Sequence, residues 1–458
     1  MKIEFLKKES ENTRLILIFA GWSAGPEIGR GIDIAGWDVA VVHDFTSFEF
    51  DKASLEEYYT IYLFAWSLGI YASAFVLPSE KITAAFAVNG TLSPVDDELG
   101  IPLAIFKGTA DNLTPRNLMK FRMRMMADRQ EWERNACLFD AEPDETRINN
   151  LQRQLFNFIE STRREETPVE LPWVRAYLSE GDRIFPADNM HRAWQKEPDV
   201  QIVETEGGHF PDLKAIVEGV ISDSRKVSEK FTKASVSYDT NAIAQYSIAI
   251  HLASKLMSAS AGRVGSVLEI GCGTGLFTRE YAPQLKPEAI TFVDIIRTGP
   301  FGVADTEEYV TADAEDWLPG QTRQWDAIVS ASCMQWFADP ERFLHECFLH
   351  LRPGGVLAVS TFLPGNLGEL DELRPSPLLY PSSESLCRWL EKDFEDVSVE
   401  SGEIRVEFQS VREMLMHLKH TGVAGSSASG GRRLSDYSHL RNLTYLPVYL
   451  TARKPGKL

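Results

Sequence analysis

Cysteine is scarce in this chain: five in 458 residues (Cys137, Cys272, Cys333, Cys347, Cys387), with no Cys-x-x-Cys and no paired spacing. That excludes a disulfide framework or thiolate metal site and reads as reduced thiols in a cytoplasmic protein with no metal. Long apolar runs are also missing. The first residues, Met1 to Lys8, hold no core of signal-peptide length, and no stretch is apolar enough to span a bilayer, so no membrane role is expected. Positive charge is in deficit: 47 Lys and Arg stand against 66 Asp and Glu, a net charge of -19. Such a field argues against wholesale binding of nucleic acid or anionic membrane, and an acidic partner needs a local basic patch. What is present is the composition of a soluble globular protein, 44% hydrophobic and 25% charged, long enough for two or three domains.

The first half alternates strand and helix. Arg14 to Phe19, Trp37 to Val42, Thr60 to Phe64 and Ile82 to Val88 are apolar strands, implying a parallel sheet covered on both faces. From about Thr114 to Arg164 the chain turns charged and helical, a pattern that fits a lid inserted between strands. Strands return at Trp173 to Leu178 and Val200 to Val203. The composition becomes polar around Val220 to Ser228, a candidate boundary. Alternation then restarts with strands at Ser266 to Ile270, Ala289 to Asp294, Trp325 to Ser330 and Gly354 to Thr361, a second, doubly wound unit. Gly425 to Gly431 is Gly/Ser-rich and reads as a mobile loop.

Ala65-Trp66-Ser67-Leu68-Gly69 carries a strand into a helix, as a serine hydrolase exposes its nucleophile. Gly21-Trp22-Ser23-Ala24-Gly25 matches G-x-S-x-G more closely. It follows the first strong strand, however, where this fold places a loop that donates an oxyanion N–H. Ser67 is therefore the expected nucleophile. A serine needs a base, and the base an orienting acid, in the order Ser, Asp, His. His43 precedes Ser67 and His191 lies in a helical pattern, leaving His209 in Glu206-Gly207-Gly208-His209 as the base. Asp182, just past a strand, is preferred over Asp111 as the acid. The oxyanion donors would be the backbone N–H groups of Trp22 and Leu68.

In the second half, Val267 to Gly275 runs a strand into G-x-G-x-G, with Glu269 before Gly271, Gly273 and Gly275. A dinucleotide fold wants its third glycine one position later, where Leu276 stands. S-adenosylmethionine (SAM) fits instead: the helix N-terminus after Gly275 suits its carboxylate, and Glu269 its ammonium. Asp294 ends the next strand at ribose-hydroxyl distance, and Asp313-Ala314 falls where such folds meet the adenine amine. No catalytic base is evident, which suits a carboxylate acceptor, already ionised at neutral pH.

On these residues the first half resembles the pimeloyl-[acyl-carrier protein] methyl ester esterase family of biotin synthesis, BioG type. The matching stretches are Phe19-Ala20-Gly21-Trp22, Ala65-Trp66-Ser67, Ala87 to Thr91, Phe106 to Thr109, Asp182 to Phe185 and Glu206 to His209. The second half resembles the malonyl-[acyl-carrier protein] O-methyltransferase family, BioC type. Its matches are Phe231 to Asp239, the glycine motif, Met334 to Phe337, Ser360 to Phe362 and Gly422 to Gly425. The resemblance implies an α/β protein. Residues 1–220 would be an α/β-hydrolase with a helical lid at about 112–168, and residues 221–458 a class I SAM-dependent methyltransferase on a Rossmann-like doubly wound sheet. It implies SAM as methyl donor and an acidic acyl carrier protein as partner. Arg116, Arg122 and Arg124 would touch the carrier in the esterase, and Lys419, Arg432 and Arg433 in the methyltransferase. The logic is one of disguise and removal: the methyl ester hides a charge during chain elongation, and its hydrolysis stops elongation. Two other readings stay open, a non-catalytic carrier-docking first half and a pair of activities on free small molecules.

Overall fold

The computed structural model describes the chain apart from residues 11, 140–142, 164–167, 222–223, 261–263, 371–377, 422–440 and 457–458. It divides into two compact units, Met1–Glu218 and Gly219–Leu458.

In the first unit, β1 (Lys2–Lys7), β2 (Arg14–Phe19), β3 (Trp37–His43), β4 (Thr60–Trp66), β5 (Ala84–Val88), β6 (Trp173–Ser179) and β7 (Gln201–Thr205) form one sheet in the order β1-β3-β2-β4-β5-β6-β7. Strands β2, β4 and β5 are buried at every position, as their largely apolar sequences require when both faces are covered. The sheet is not wholly parallel. β1, which the sequence reading passed over, pairs antiparallel with β3. Its residues alternate between exposed and half-buried, the period of an edge strand, which a search for apolar runs misses. Helix α1 (Leu68–Val76) leaves β4 directly. Between β5 and β6 lie α2 (Leu103–Asp111), α3 (Pro115–Met125), α4 (Arg129–Asn135) and α5 (Glu145–Ser161), with α6 (Ala187–Trp194) and α7 (Leu213–Val220) farther on. The helical insertion thus starts near Leu103, earlier than the expected 112. Side chains of Thr114, Asp128 and Asp144 cap α3, α4 and α5, and Ile148, Leu151, Leu155 and Phe158 give α5 its buried face.

The second unit opens with α8 (Ser224–Asn241) and α9 (Ile243–Ala259). Its sheet contains β8 (Ser266–Ile270), β9 (Ala289–Asp294), β10 (Thr306–Thr311), β11 (Trp325–Ala331), β12 (Leu351–Phe362) and β13 (Glu395–Ser401). A separate ribbon joins β14 (Ile404–Glu407) to β15 (Asn442–Tyr445), and β16 (Pro447–Arg453) returns to the main sheet. The order is β10-β9-β8-β11-β12-β16-β13, with β16 antiparallel to both neighbours. Helix α10 (Thr278–Leu285) follows β8, and a one-turn α11 (Ala314–Trp317) follows β10.

Both sheets reverse their winding direction once, between β2 and β4 in the first and between β8 and β11 in the second. A crevice opens at the carboxyl ends of strands at such a point. The notable loops of both units end there.

Candidate active sites

Ser67 follows the last residue of β4 and is held at φ 59°, ψ -127°, a strained turn for a residue with a Cβ. The turn is tight because β2 crowds it: a Cβ on Gly69 would meet Phe19 O at 2.6 Å. Asp182 lies just past β6 and His209 just past β7, so adjacent parallel strands deliver both to the edge that carries Ser67. His209 Nε2 is 2.9 Å from Ser67 Oγ, and His209 Nδ1 is 2.7 Å from Asp182 Oδ2. The other Asp182 oxygen accepts the N–H groups of Ile184 (2.7 Å) and Phe185 (3.0 Å), fixing its plane. Both side chains of the His209–Asp182 pair are sealed from solvent. Asp111, the alternative acid, is exposed at the C-terminal end of α2. Ser23 sits in the loop after β2, and its carbonyl accepts from Arg122.

A cleft of about 450 Å³ carries Ser67, His209, Trp22 and Leu68 on its wall, closed by apolar residues that include Ile101, Phe106 and Leu155. Leu68 is the first residue of α1, so its N–H is free of the helix ladder, and Trp22 is anchored by its indole N–H donating to Leu151 O at 3.0 Å. Sequence reasoning assigned no role to Asn89. Its amide donates to Ser179 Oγ (3.0 Å) and to the carbonyls of Gly208 (3.2 Å) and His209 (3.0 Å), while its oxygen accepts Ser179 N–H (2.8 Å). It ties together the loops that carry the acid and the base. Its hints in sequence are a polar residue ending an apolar strand and its place in the Ala87 to Thr91 match.

In the second unit, Gly271, Gly273 and Gly275 all take positive φ (71°, 51° and 79°). Space decides at Gly271, where a Cβ would meet Cys333 Sγ at 2.3 Å; at Gly273 it would meet nothing within 4 Å. Asp294 Oδ2 accepts Gly273 N–H at 2.7 Å and Oδ1 accepts Ile296 N–H at 3.0 Å. Burial pushes its pKa up despite those bonds. A carboxylate has about four acceptor sites, so capacity remains for ribose hydroxyls. Asp313 caps α11 by accepting Glu315 N–H at 3.1 Å, next to buried Ala314. Open space at the glycine turn, beside an acidic strand end, fits a nucleoside bearing a cationic tail.

Glu269 is buried, and its Oε2 accepts Thr278 Oγ1 (2.8 Å) and Tyr281 OH (2.7 Å), so this oxygen holds α10 against β8. Burial raises its pKa to about 7. Strand alternation alone could not reveal this, because a β8 buried on both faces gives no outward side. Helix α10 begins at Thr278, three residues beyond Gly275. Asp239, also unassigned from sequence, accepts from Arg279 (2.6 Å) and from Thr274 Oγ1, pinning the end of α8 to the glycine loop.

Residues 1–215 match the family model for pimeloyl-ACP methyl esterase BioG, and residues 241–399 match a methyltransferase domain. A malonyl-[acyl-carrier protein] O-methyltransferase from Bacteroides fragilis is 31% identical, over 98% of this chain and 94% of its own length. The chain belongs to that family, with a BioG segment fused ahead of the BioC part. The BioC-type half alone is 33% identical to the malonyl-[acyl-carrier protein] O-methyltransferase of Porphyromonas gingivalis, over 50% of this chain and 96% of that protein. The solved BioG of Haemophilus influenzae is 32% identical and covers 46% of this chain and 94% of its own, at TM-score 0.41. The protein is thus mixed α/β with a Rossmann-like methyltransferase sheet in its BioC-type half.

The arginines of the BioG-type half divide sharply. Arg116 and Arg124 are exposed, and Arg124 also lines the cleft that holds Ser67. Arg122 corrects the sequence reading: it is wholly buried, donates to Ser23 O at 3.3 Å and stacks 5.0 Å above Phe139, so it cannot meet a docking partner. Of the four basic residues on α3, Arg122 falls on the buried stripe with Leu118 and Met125, which turns it in. In the BioC-type half Lys419 is exposed, while Arg432, Arg433 and the Gly425–Gly431 stretch fall outside the described residues. No helix among the described residues is long and apolar enough to cross a membrane. No group of His, Cys, Asp or Glu among them is arranged to hold a metal.

Proposed function

We propose that the chain is a bifunctional cytoplasmic enzyme of biotin synthesis. Its BioC-type half, residues 221–458, would methylate the free carboxyl of malonyl-[acyl-carrier protein]. Its BioG-type half, residues 1–220, would be an α/β-hydrolase, lidded by α2 to α5, that hydrolyses the methyl ester of pimeloyl-[acyl-carrier protein]. The supporting observation is the hydrogen-bonded line from Ser67 through His209 to Asp182, at 2.9 and 2.7 Å.

In this reading Ser67 Oγ attacks the ester carbonyl while His209 Nε2 takes its proton. Asp182 keeps the Nδ1–H tautomer and stabilises the imidazolium. The N–H groups of Leu68 and Trp22 receive the oxyanion. Methanol leaves with the proton from His209. Water, deprotonated by the same imidazole, then releases the acid from Ser67. The apolar cleft wall suits the uncharged chain next to a methyl ester.

In the second half SAM, when bound, supplies a methyl group on a positively charged sulfur. Gly271, Gly273 and Gly275 would let its backbone-facing side approach, Asp294 would accept ribose hydroxyls, and Asp313 and Ala314 would meet the base. Glu269 acts behind the loop by fixing α10. The acceptor carboxylate needs no base, so this half only has to position it and exclude water.

Exposed Arg116 and Arg124 suit an acidic carrier. A fluorophosphonate probe should label the wild-type chain and not Ser67→Ala; equal labelling would leave the first half as a docking module. Malonyl-carrier should be methylated far faster than malonyl-coenzyme A, and the reverse would point to free small molecules.

A further inference from the structure

A cleft of about 390 Å³, counting its space open to solvent, lies beside the glycine loop in the second unit and has no part in the cofactor contacts above. Its wall includes Gln245, Ser332, Gln335, Trp336, Asn366 and Tyr238. Four of these hold a buried polar atom without a hydrogen-bond partner: Gln245 Oε1, Ser332 Oγ, Gln335 Oε1 and Trp336 Nε1. Buried polar groups are nearly always paired, and each left unpaired costs about 1–3 kcal/mol. Four in residues around one cavity mark a place whose partner is a ligand. Gln245 is only 6% exposed, so bulk solvent reaches it little.

The cavity also stands beside the glycine loop at the carboxyl edge of the sheet. Ser332 follows the end of β11, at the winding reversal. Its neighbour Cys333 is the residue that crowds Gly271. Ser332 itself is held at φ 52°, a strained value for serine. Its N–H donates to Ser360 Oγ and Ser360 O, both at 3.1 Å, and Gln335 Nε2 donates to its carbonyl at 2.6 Å. The strain and these three bonds fix one orientation of its hydroxyl-bearing carbon. Phe231 packs edge-on against the Trp336 ring at 5.8 Å, which limits rotation of the indole.

We infer that this cavity is the acceptor subsite, in which the Trp336 indole N–H and the Ser332 hydroxyl donate to the carboxylate that receives the methyl group. The assignment rests on the methyltransferase reading above. Both donors are neutral, so they orient a carboxylate oxygen without the tight ion pair that would blunt its nucleophilicity. The Gln245 and Gln335 oxygens are acceptors and match an N–H elsewhere on the same ligand. A carboxylate joined to an amide-bearing thioester arm meets both requirements; a bare diacid meets only the first. Esterification removes the acceptor's charge, so the product holds these donors less well and leaves.

The test is calorimetric titration of the full-length chain, loaded with S-adenosylhomocysteine, with malonyl-carrier and separately with its methyl ester. The wild type should bind the acid at least tenfold more tightly than the ester. Trp336→Phe and Ser332→Ala should each lose most of that preference while binding S-adenosylhomocysteine as before, which also shows that they fold. Variants with unchanged S-adenosylhomocysteine affinity and an intact acid-over-ester preference overturn the assignment. A wild type that methylates malonyl-carrier with such variants refutes the subsite alone; a wild type that does not methylate it refutes the functional reading too.

Discussion

In the first unit the candidate reacting groups are bonded to one another: Ser67 to His209, His209 to Asp182, and Asp182 to two backbone N–H groups. In the second, four polar atoms around the cavity have no such partners, while Asp294 and Glu269 at its glycine loop already accept backbone and helix hydrogen bonds with acceptor capacity to spare. The same topological device, a winding reversal at the carboxyl edge of a sheet, serves both. The contrast follows from the chemistry. On the proposed reading the first unit is a hydrolase that must activate its own hydroxyl, so its protein groups form a closed proton path. A transferase brings together two reactants that are already activated, so its protein groups are left to be completed by ligands.

The contrast breaks most visibly at Ser67. Ser67→Ala should lower ester hydrolysis by about 10⁴- to 10⁶-fold and leave methyl transfer intact, measured in parallel on one preparation. Asp182→Asn should cost about 10⁴-fold, because the amide favours the wrong imidazole tautomer. If it costs less than tenfold, the proton path is not closed as described. Asp294→Ala should weaken SAM binding by about 10- to 100-fold in calorimetry without altering hydrolysis.

Glu269 sharpens the comparison through pH. Its carboxyl ionises near 4.5 when exposed and near about 7 when folded. Between those values the folded form holds the extra proton, so stability is fullest below pH 4.5 and falls as pH rises toward 7, by about 3 kcal/mol at most. Thermal melts of Glu269→Gln should lack that component for the second unit, and an unchanged pH profile would remove it. The smallest effect belongs to Arg124→Ala, a few-fold rise in KM for the carrier-linked ester that fades with added salt.

The sequence made the order Ser67, Asp182, His209 legible because each residue follows a strand, and parallel strands carry their ends to one edge. It made the glycine turn legible because no other residue takes φ of 51–79° cheaply three times in succession. Side-chain direction was not legible. Arg122 has the right type and spacing for a docking contact but points inward, which only the packing of α3 decides. Strand β1 was hidden by its half-polar alternation. The reversed β16 was hidden because nothing in a strand's composition states its direction. Asn89 and Asp239 were hidden because a polar residue at an element's end is ordinary until its partners are seen.

The most direct measurement is mass spectrometry of carrier-bound acyl groups after incubation with the full-length chain. Supplied with SAM, the wild type should convert malonyl-carrier to its methyl ester, and it should convert pimeloyl-carrier methyl ester to the free acid. Ser67→Ala should retain the first conversion and lose the second. A Ser67→Ala chain that still cleaves the pimeloyl ester, or a wild type that methylates no malonyl-carrier, would contradict two opposed reaction centres in one polypeptide.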